Sequence, residues 1–290
     1  MLIDIETASP PFKANQQFAA SELKKRMGGS PVVARMIEMA ANQSGIDHRY
    51  FVIPDGDENA SAKFFKKDGN HYSPDTKTRM NEYEKWAASL AVNAVKKLGE
   101  INKINFSTID RLITISCTGF FAPGLDYQII KEFNLPLNVR RTNIGFMGCA
   151  ASLVGINSVW EAMKQDENEN ILMISVELCS IHLQTEPTRD NILANMIFAD
   201  GAAAAFFSKN NFLQKRKLEI HFAESFMFED SAKYMGWKIG NNGFEMMLSS
   251  ELPKIILNNG APKAKEILAK EELIFRKLNI GLCIPAVVQF

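Results

Sequence analysis

The stretch "NVRRTNIGFMGCAASLVGINSVWEAMK", residues 138–164, passes from a strand-like run through a glycine-punctuated turn into a helix-forming run. The first two turns of that run, beginning at Cys149, are small and apolar on every side, the composition of a helix buried in a core. A strand that feeds a buried helix through a tight turn belongs to a layered α/β fold. Cys149 then stands in the first turn of the helix, where unpaired backbone N–H groups and the helix dipole favour an anion and make a thiol easier to ionise. Gly148 before it allows a substrate or a second backbone to come close. Packing explains the same residue equally simply, because cysteine is among the most buried residue types and fits a Gly/Ala-rich helix.

Outward from this stretch, strand and helix patterns alternate. "LIDIETA" (2–8) reads as an opening strand, and "RLITISC" (111–117) and "NILMISVEL" (170–178) read as central strands buried on both faces. "LEIHFAESF" (218–226) alternates in polarity, which predicts a strand with one less buried face. Tyr83, Trp86, Leu90, Ala94 and Leu98 recur at helical spacing, and Lys96 and Lys97 before Gly99 predict the helix end there. Polar stretches at 54–70, 165–170 and 185–191 are expected to be surface loops.

Composition bounds the function. The 290 residues, 46% of them hydrophobic, suffice for one large domain or two moderate ones. Lys plus Arg balances Asp plus Glu at 33 each, so nothing draws the chain to nucleic acid or an anionic membrane. The four cysteines, at 117, 149, 179 and 283, have no Cys-x-x-Cys spacing, which argues against a zinc site or a redox pair and for a reducing compartment. No metal is expected. "MLIDIETASPPF" lacks a basic segment followed by an apolar one, and no aliphatic run approaches a bilayer span, so a soluble cytoplasmic protein is expected.

Five blocks then point to a family. "SGIDHRY" (44–50), "CTGFFAPGLDYQI" (117–129), "VRRTNIGFMGCAAS" (139–152), "FADGAAAAFF" (198–207) and "GFEMMLSSELPKII" (243–256) resemble, in order and spacing, the type III polyketide synthases of the chalcone and stilbene synthase family. The resemblance implies a thiolase-like layered αβαβα fold of two similar βαβ halves working as a homodimer. Residues 1–208 would form the N-terminal half, and residues 209–290 the start of a truncated C-terminal half. It implies an acyltransferase that takes an acyl group from acyl-CoA onto Cys149 and condenses it with the enolate left when malonyl-CoA loses carbon dioxide. Coenzyme A thioesters are the substrates, and no further cofactor is implied. Leu183 and Met246 would occupy the gate between the coenzyme A tunnel and the cavity, and Cys117 would line the cavity, with a packed strand-end cysteine as the alternative. Ala122 would sit at the dimer contact, and Arg35, His48 and Arg49 would meet coenzyme A phosphates.

The sequence also departs from the family. The family pairs its cysteine with a histidine in a His-Pro-Gly-Gly block and a later asparagine, and none of His48, His71, His182 and His221 has that context. His182 is the one histidine arguable as a base near the cavity, and a satisfied core position is its alternative. Residues 276–290 are compatible with a one-base deletion in a reading frame that encodes the His-Pro-Gly-Gly block. A catalytically dead truncated or frameshifted product, or a ketoacyl synthase III-like enzyme, is the alternative reading.

Overall fold

The computed structural model describes residues 2–270 apart from 29, 58, 61–62, 69–70, 210–219 and 221. The chain opens with β1 (Leu2–Ala8), β2 (Phe12–Asn15), α1 (Gln16–Met27), α2 (Pro31–Gln43) and β3 (His48–Phe51). Two short strands, β4 (Lys66–Asp68) and β5 (His71–Ser73), lead into the long α3 (Thr76–Asn102). Then come β6 (Arg111–Ser116), α4 (Leu125–Phe133), β7 (Arg140–Gly145), α5 (Ala151–Gln165), β8 (Ile171–Leu178), α6 (Arg189–Ile197) and β9 (Asp200–Phe207). A hairpin, β10 (Met235–Gly240) and β11 (Gly243–Leu248), precedes α7 (Leu252–Ile255) and α8 (Ala261–Lys270).

Five strands form a mixed sheet in the order β1-β9-β8-β6-β7. The parallel pairs β6–β7 and β6–β8 place Ser116 opposite Gly145 and Ile115 opposite Ser175, so the strands before and after α5 deliver their ends to one edge of the sheet. Alternation along the strands divides the core. Leu172, Ile174, Val176 and Leu178 face α3 and α4, packing with Leu90, Ala94 and Leu98, whereas Ile113, Ile115 and Met173 face α5 with Val159 and Met163. A satellite core joins α1, α2 and α6 through Leu23, Met27, Ile37, Ile192 and Met196. The layering is helix, sheet, helix, as the opening stretch predicts.

Two local readings change. The helix expected to stop at Gly99 runs on to Asn102, and Lys103 takes the left-handed C-cap at φ 50°. Gly99 is there for packing: a Cβ on it would lie 2.5 Å from the Phe106 ring. Residues 222–226 form no strand, and 218, 219 and 221 of that run lie outside the described residues. His221, Cys283 and residues 271–290, on which the frameshift reading rests, also lie outside them.

Gly155 lets α5 settle onto the sheet, since a Cβ there would stand 2.7 Å from Ile115 Cδ1 and 2.8 Å from Met173 Sδ. Gly155→Val is expected to cost about 2 kcal/mol through overpacking. A lower urea midpoint at unchanged m checks this; an unchanged midpoint contradicts it.

Candidate active site

The turn between β7 and α5 is held by two left-handed residues, Phe146 at φ 56° and Gly148 at φ 67°. Glycine takes that conformation freely, while phenylalanine does so at a cost its ring contacts must offset. Phe146 stacks on Phe120 at 5.2 Å and meets Phe244 at 5.5 Å. Cys149 sits in the 3-10 turn Gly148–Ala150 at the head of α5, and it is exposed. Only one side of α5 is fully covered: Ala151, Gly155, Val159, Ala162 and Met163 are buried, and Leu153, Val154, Ile156 and Trp160 are half-buried.

The expectation of a thiol made acidic by the helix N-terminus is reversed. Desolvation comes first, then the Glu177 carboxylate, and together they hold Cys149 above the ordinary cysteine value. Cys149 is thus exposed as a residue while desolvation is the largest influence on its thiol. A 3-10 turn of three residues adds little dipole to counter a nearby carboxylate.

Cys117 lies beside this turn. Its thiol donates to Gly148 O at 3.6 Å, and its backbone N–H donates to both Glu177 oxygens, at 2.9 and 3.1 Å. Thr118 Oγ1 donates to Glu177 Oε2 at 2.7 Å. Burial pushes the Glu177 carboxyl up to about 7, and these donors only partly oppose it. Cys179, the next residue but one, is driven well above the ordinary range by burial and then by Glu177.

His182 is a satisfied core histidine. Nδ1 accepts from the Phe244 N–H at 3.0 Å, and Nε2 donates to Thr118 O at 2.7 Å, which assigns the neutral tautomer. Its ring stacks on Phe244 at 4.1 Å and meets Trp237 edge-on. Desolvation lowers it to about 3. An unfolded chain takes up a proton near pH 6.5 that the folded chain refuses, so this contribution to stability is lost as pH falls below about 6.5. Glu177 and Asp200, raised to about 7 and about 6, slope the opposite way. Both remain in His182→Asn, so the difference isolates the histidine. From pH 7 to pH 5 the urea midpoint of the parent is expected to move downward relative to that of this variant, whatever the sign of each change; equal changes refute the assignment.

An apolar cavity lies alongside, with about 820 Å³ of non-atom space partly open to solvent. Leu183 and Met246, the two residues expected at the gate, line it together with Phe198, Phe244 and Phe18. Cys179 and Trp237 stand between the two sites: both line the cavity, Cys179 faces Glu177, and Trp237 Nε1 donates to Cys117 O at 2.7 Å. Arg79, buried in α3, donates to the carbonyls of Ile181 and Leu183 at 2.9 Å and fixes this segment.

The residues expected to meet coenzyme A phosphates differ in exposure. Arg35 on α2 and His48 on β3 are exposed, but Arg49 turns inward at 5% exposure and donates to Gln16 Oε1, Asn195 O and Phe198 O. Arg49 therefore braces the cavity wall, because its guanidinium is committed to buried acceptors. Among the described residues no group of three or more His, Cys, Asp or Glu side chains could hold a metal, and no helix is long and apolar enough to cross a membrane.

Glu177, Thr118, Trp237 and Phe198 escape the sequence reading. One signal was available: Glu177 is the single charge inside the apolar run 171–178.

Residues 64–223, more than half of the chain, match the family described as FAE1/Type III polyketide synthase-like protein. A 1,3,6,8-tetrahydroxynaphthalene synthase of Streptomyces peucetius subsp. caesius is 24% identical over 200 residues, covering 68% of this chain and 53% of the relative. The alpha-pyrone synthesis polyketide synthase-like Pks18 of Mycobacterium tuberculosis is 26% identical over 193 residues, covering 66% and 49%. The chain thus spans about half the length of these curated relatives. The crystal structure of PKS-I from the brown alga Ectocarpus siliculosus superposes with a TM-score of 0.85 at 27% identity, over 97% of this chain and 75% of that one.

Proposed function

The chain belongs to the FAE1/Type III polyketide synthase-like family, and from that premise we propose that it transfers an acyl group from a coenzyme A thioester to Cys149 and extends it with malonyl-CoA. One observation carries the assignment of the nucleophile: Cys149 is exposed at the head of α5, while Cys117 is buried and Cys179 is half-buried. Thioester exchange needs a thiol that a large acyl-CoA can reach. The lining of Leu183, Met246, Phe198 and Phe18 supports an aliphatic acyl starter, and the exposed Arg35 and His48 are the remaining candidates for the coenzyme A phosphates. No cofactor beyond the thioester substrates enters this reading. A homodimer is supported by an exposed apolar surface beside the nucleophile, with Phe120 at 44%, Phe146 at 37% and Met147 at 52% exposure, whereas Ala122, exposed as well, would contribute little to it. The free thiols Cys117, Cys149 and Cys179 suit a reducing cytoplasm.

A non-catalytic partner of an intact synthase is the second reading. It is favoured by the upward shift of Cys149, whose thiol faces a carboxylate. Incubation with radiolabelled acyl-CoA separates the two. Hydroxylamine-labile label on the peptide containing Cys149 is expected; no label rejects the acyltransferase, and label on Cys117 or Cys179 instead rejects Cys149 as its nucleophile.

A further inference from the structure

The packing of α5 on β8 has a register. Gly155 lies against Met173, since a Cβ added to it would stand 2.8 Å from Sδ, and one turn earlier Ser152 Oγ donates to Ser175 Oγ at 3.2 Å. Another turn earlier the chain reaches Cys149. On β8 the side chains sharing that face step by two residues, 173, 175 and then 177. Glu177 therefore stands level with Cys149.

The carboxylate is fixed in place. It accepts from Cys117 N–H and Thr118 Oγ1, and the Cys117 thiol in turn donates to the carbonyl of Gly148, the residue just before Cys149. The titratable groups that feel it are Cys149 from the α5 turn, Cys117 from the end of β6, Cys179 from the end of β8 and the buried phenol of Tyr83 from α3. None of these can carry a positive charge. Burial leaves Glu177 titrating at about 7, so its charge changes in the neutral range.

We propose that Glu177 is a positioning residue that governs the ionisation of Cys149: its negative charge holds the neighbouring thiol protonated, and a neutral group in its place frees the thiol. The site at rest is held back by its own strand. The two groups titrate as a coupled pair, in which the first negative charge resides on Glu177 and the second, on sulphur, is delayed. This rests on Cys149 as nucleophile only for its functional meaning, because the coupling itself is a property of the free chain.

The test is the pH–rate profile for alkylation of Cys149 by iodoacetamide, in which the thiolate displaces iodide, read by peptide mapping of the full chain between pH 6 and 10. Glu177→Gln is expected to move the inflection down by about one unit, making alkylation at pH 7.5 about tenfold faster. Glu177→Asp keeps the charge and is expected to keep the parent inflection. A merely structural role would change the rate of every thiol without moving the inflection, and an unmoved inflection in Glu177→Gln overturns the proposal. Should that variant lose its near-UV circular dichroism, the parent profile decides. A coupled pair makes log rate flatten near pH 7 and rise again above it, whereas a line of unit slope through that region overturns the coupling. No acyl-CoA is used, so this outcome and the labelling outcome fail separately.

Discussion

Cys149→Ala is expected to remove covalent capture of the acyl group, with label from acyl-CoA and any turnover falling by about a thousandfold or more, the scale of deleting a nucleophile. No other described thiol can substitute. Cys117 is buried with its Sγ on Gly148 O, and Cys179 is held far above its ordinary range at the cavity wall. Cys117→Ser and Cys179→Ser are therefore expected to retain label. The cost in fold should be small, because Cys149 is exposed and its side chain supports no packing layer. Equal labelling of Cys149→Ala and its parent would show that acyl transfer occurs elsewhere or not at all.

The largest expected loss of stability is at Gly119. A Cβ there would lie 2.2 Å from Tyr83 Cγ and 2.4 Å from both Cδ atoms. The ring cannot give way: Tyr83 is 2% exposed, sits on α3 within the main core and packs edge-on against Phe121 at 6.2 Å. Gly119→Ala is expected to cost about 3 kcal/mol and lower Tm by about 10 °C. The displaced backbone is that of Thr118, whose hydroxyl donates to Glu177 and whose carbonyl accepts from His182, so the site should loosen with the fold. Adding Tyr83→Leu opens space against the new methyl group, and the double variant should recover part of the lost Tm. Strictly additive losses would show that the ring is not what Gly119 accommodates.

The elements found from sequence share a physical cause. β6 and β8 are apolar on successive residues because both sheet faces are covered, and α3 shows a helical stripe because one side meets that sheet. Such patterns are local. A rule that reads glycine as a helix stop places the end of α3 too early, because Gly99 answers to Phe106 and that contact is invisible to the rule. The run 218–226 alternates in polarity, yet its described residues, 220 and 222–226, form no strand, since alternation supplies a face and not a partner.

The sequence by itself determined the layered α/β fold, the family and the place of Cys149 at the head of α5. Each of these rests on a periodic pattern or on an ordered set of blocks. Tertiary structure alone decided the chemistry around the thiol. Glu177 reaches Cys117 and Thr118 across 60 and 59 residues, His182 reaches Thr118 across 64, and Arg49 reaches Phe198 across 149. Burial and the charge of a neighbour set whether a thiol is armed or restrained, and which residues become neighbours is settled by strand order and helix register, not by spacing along the chain.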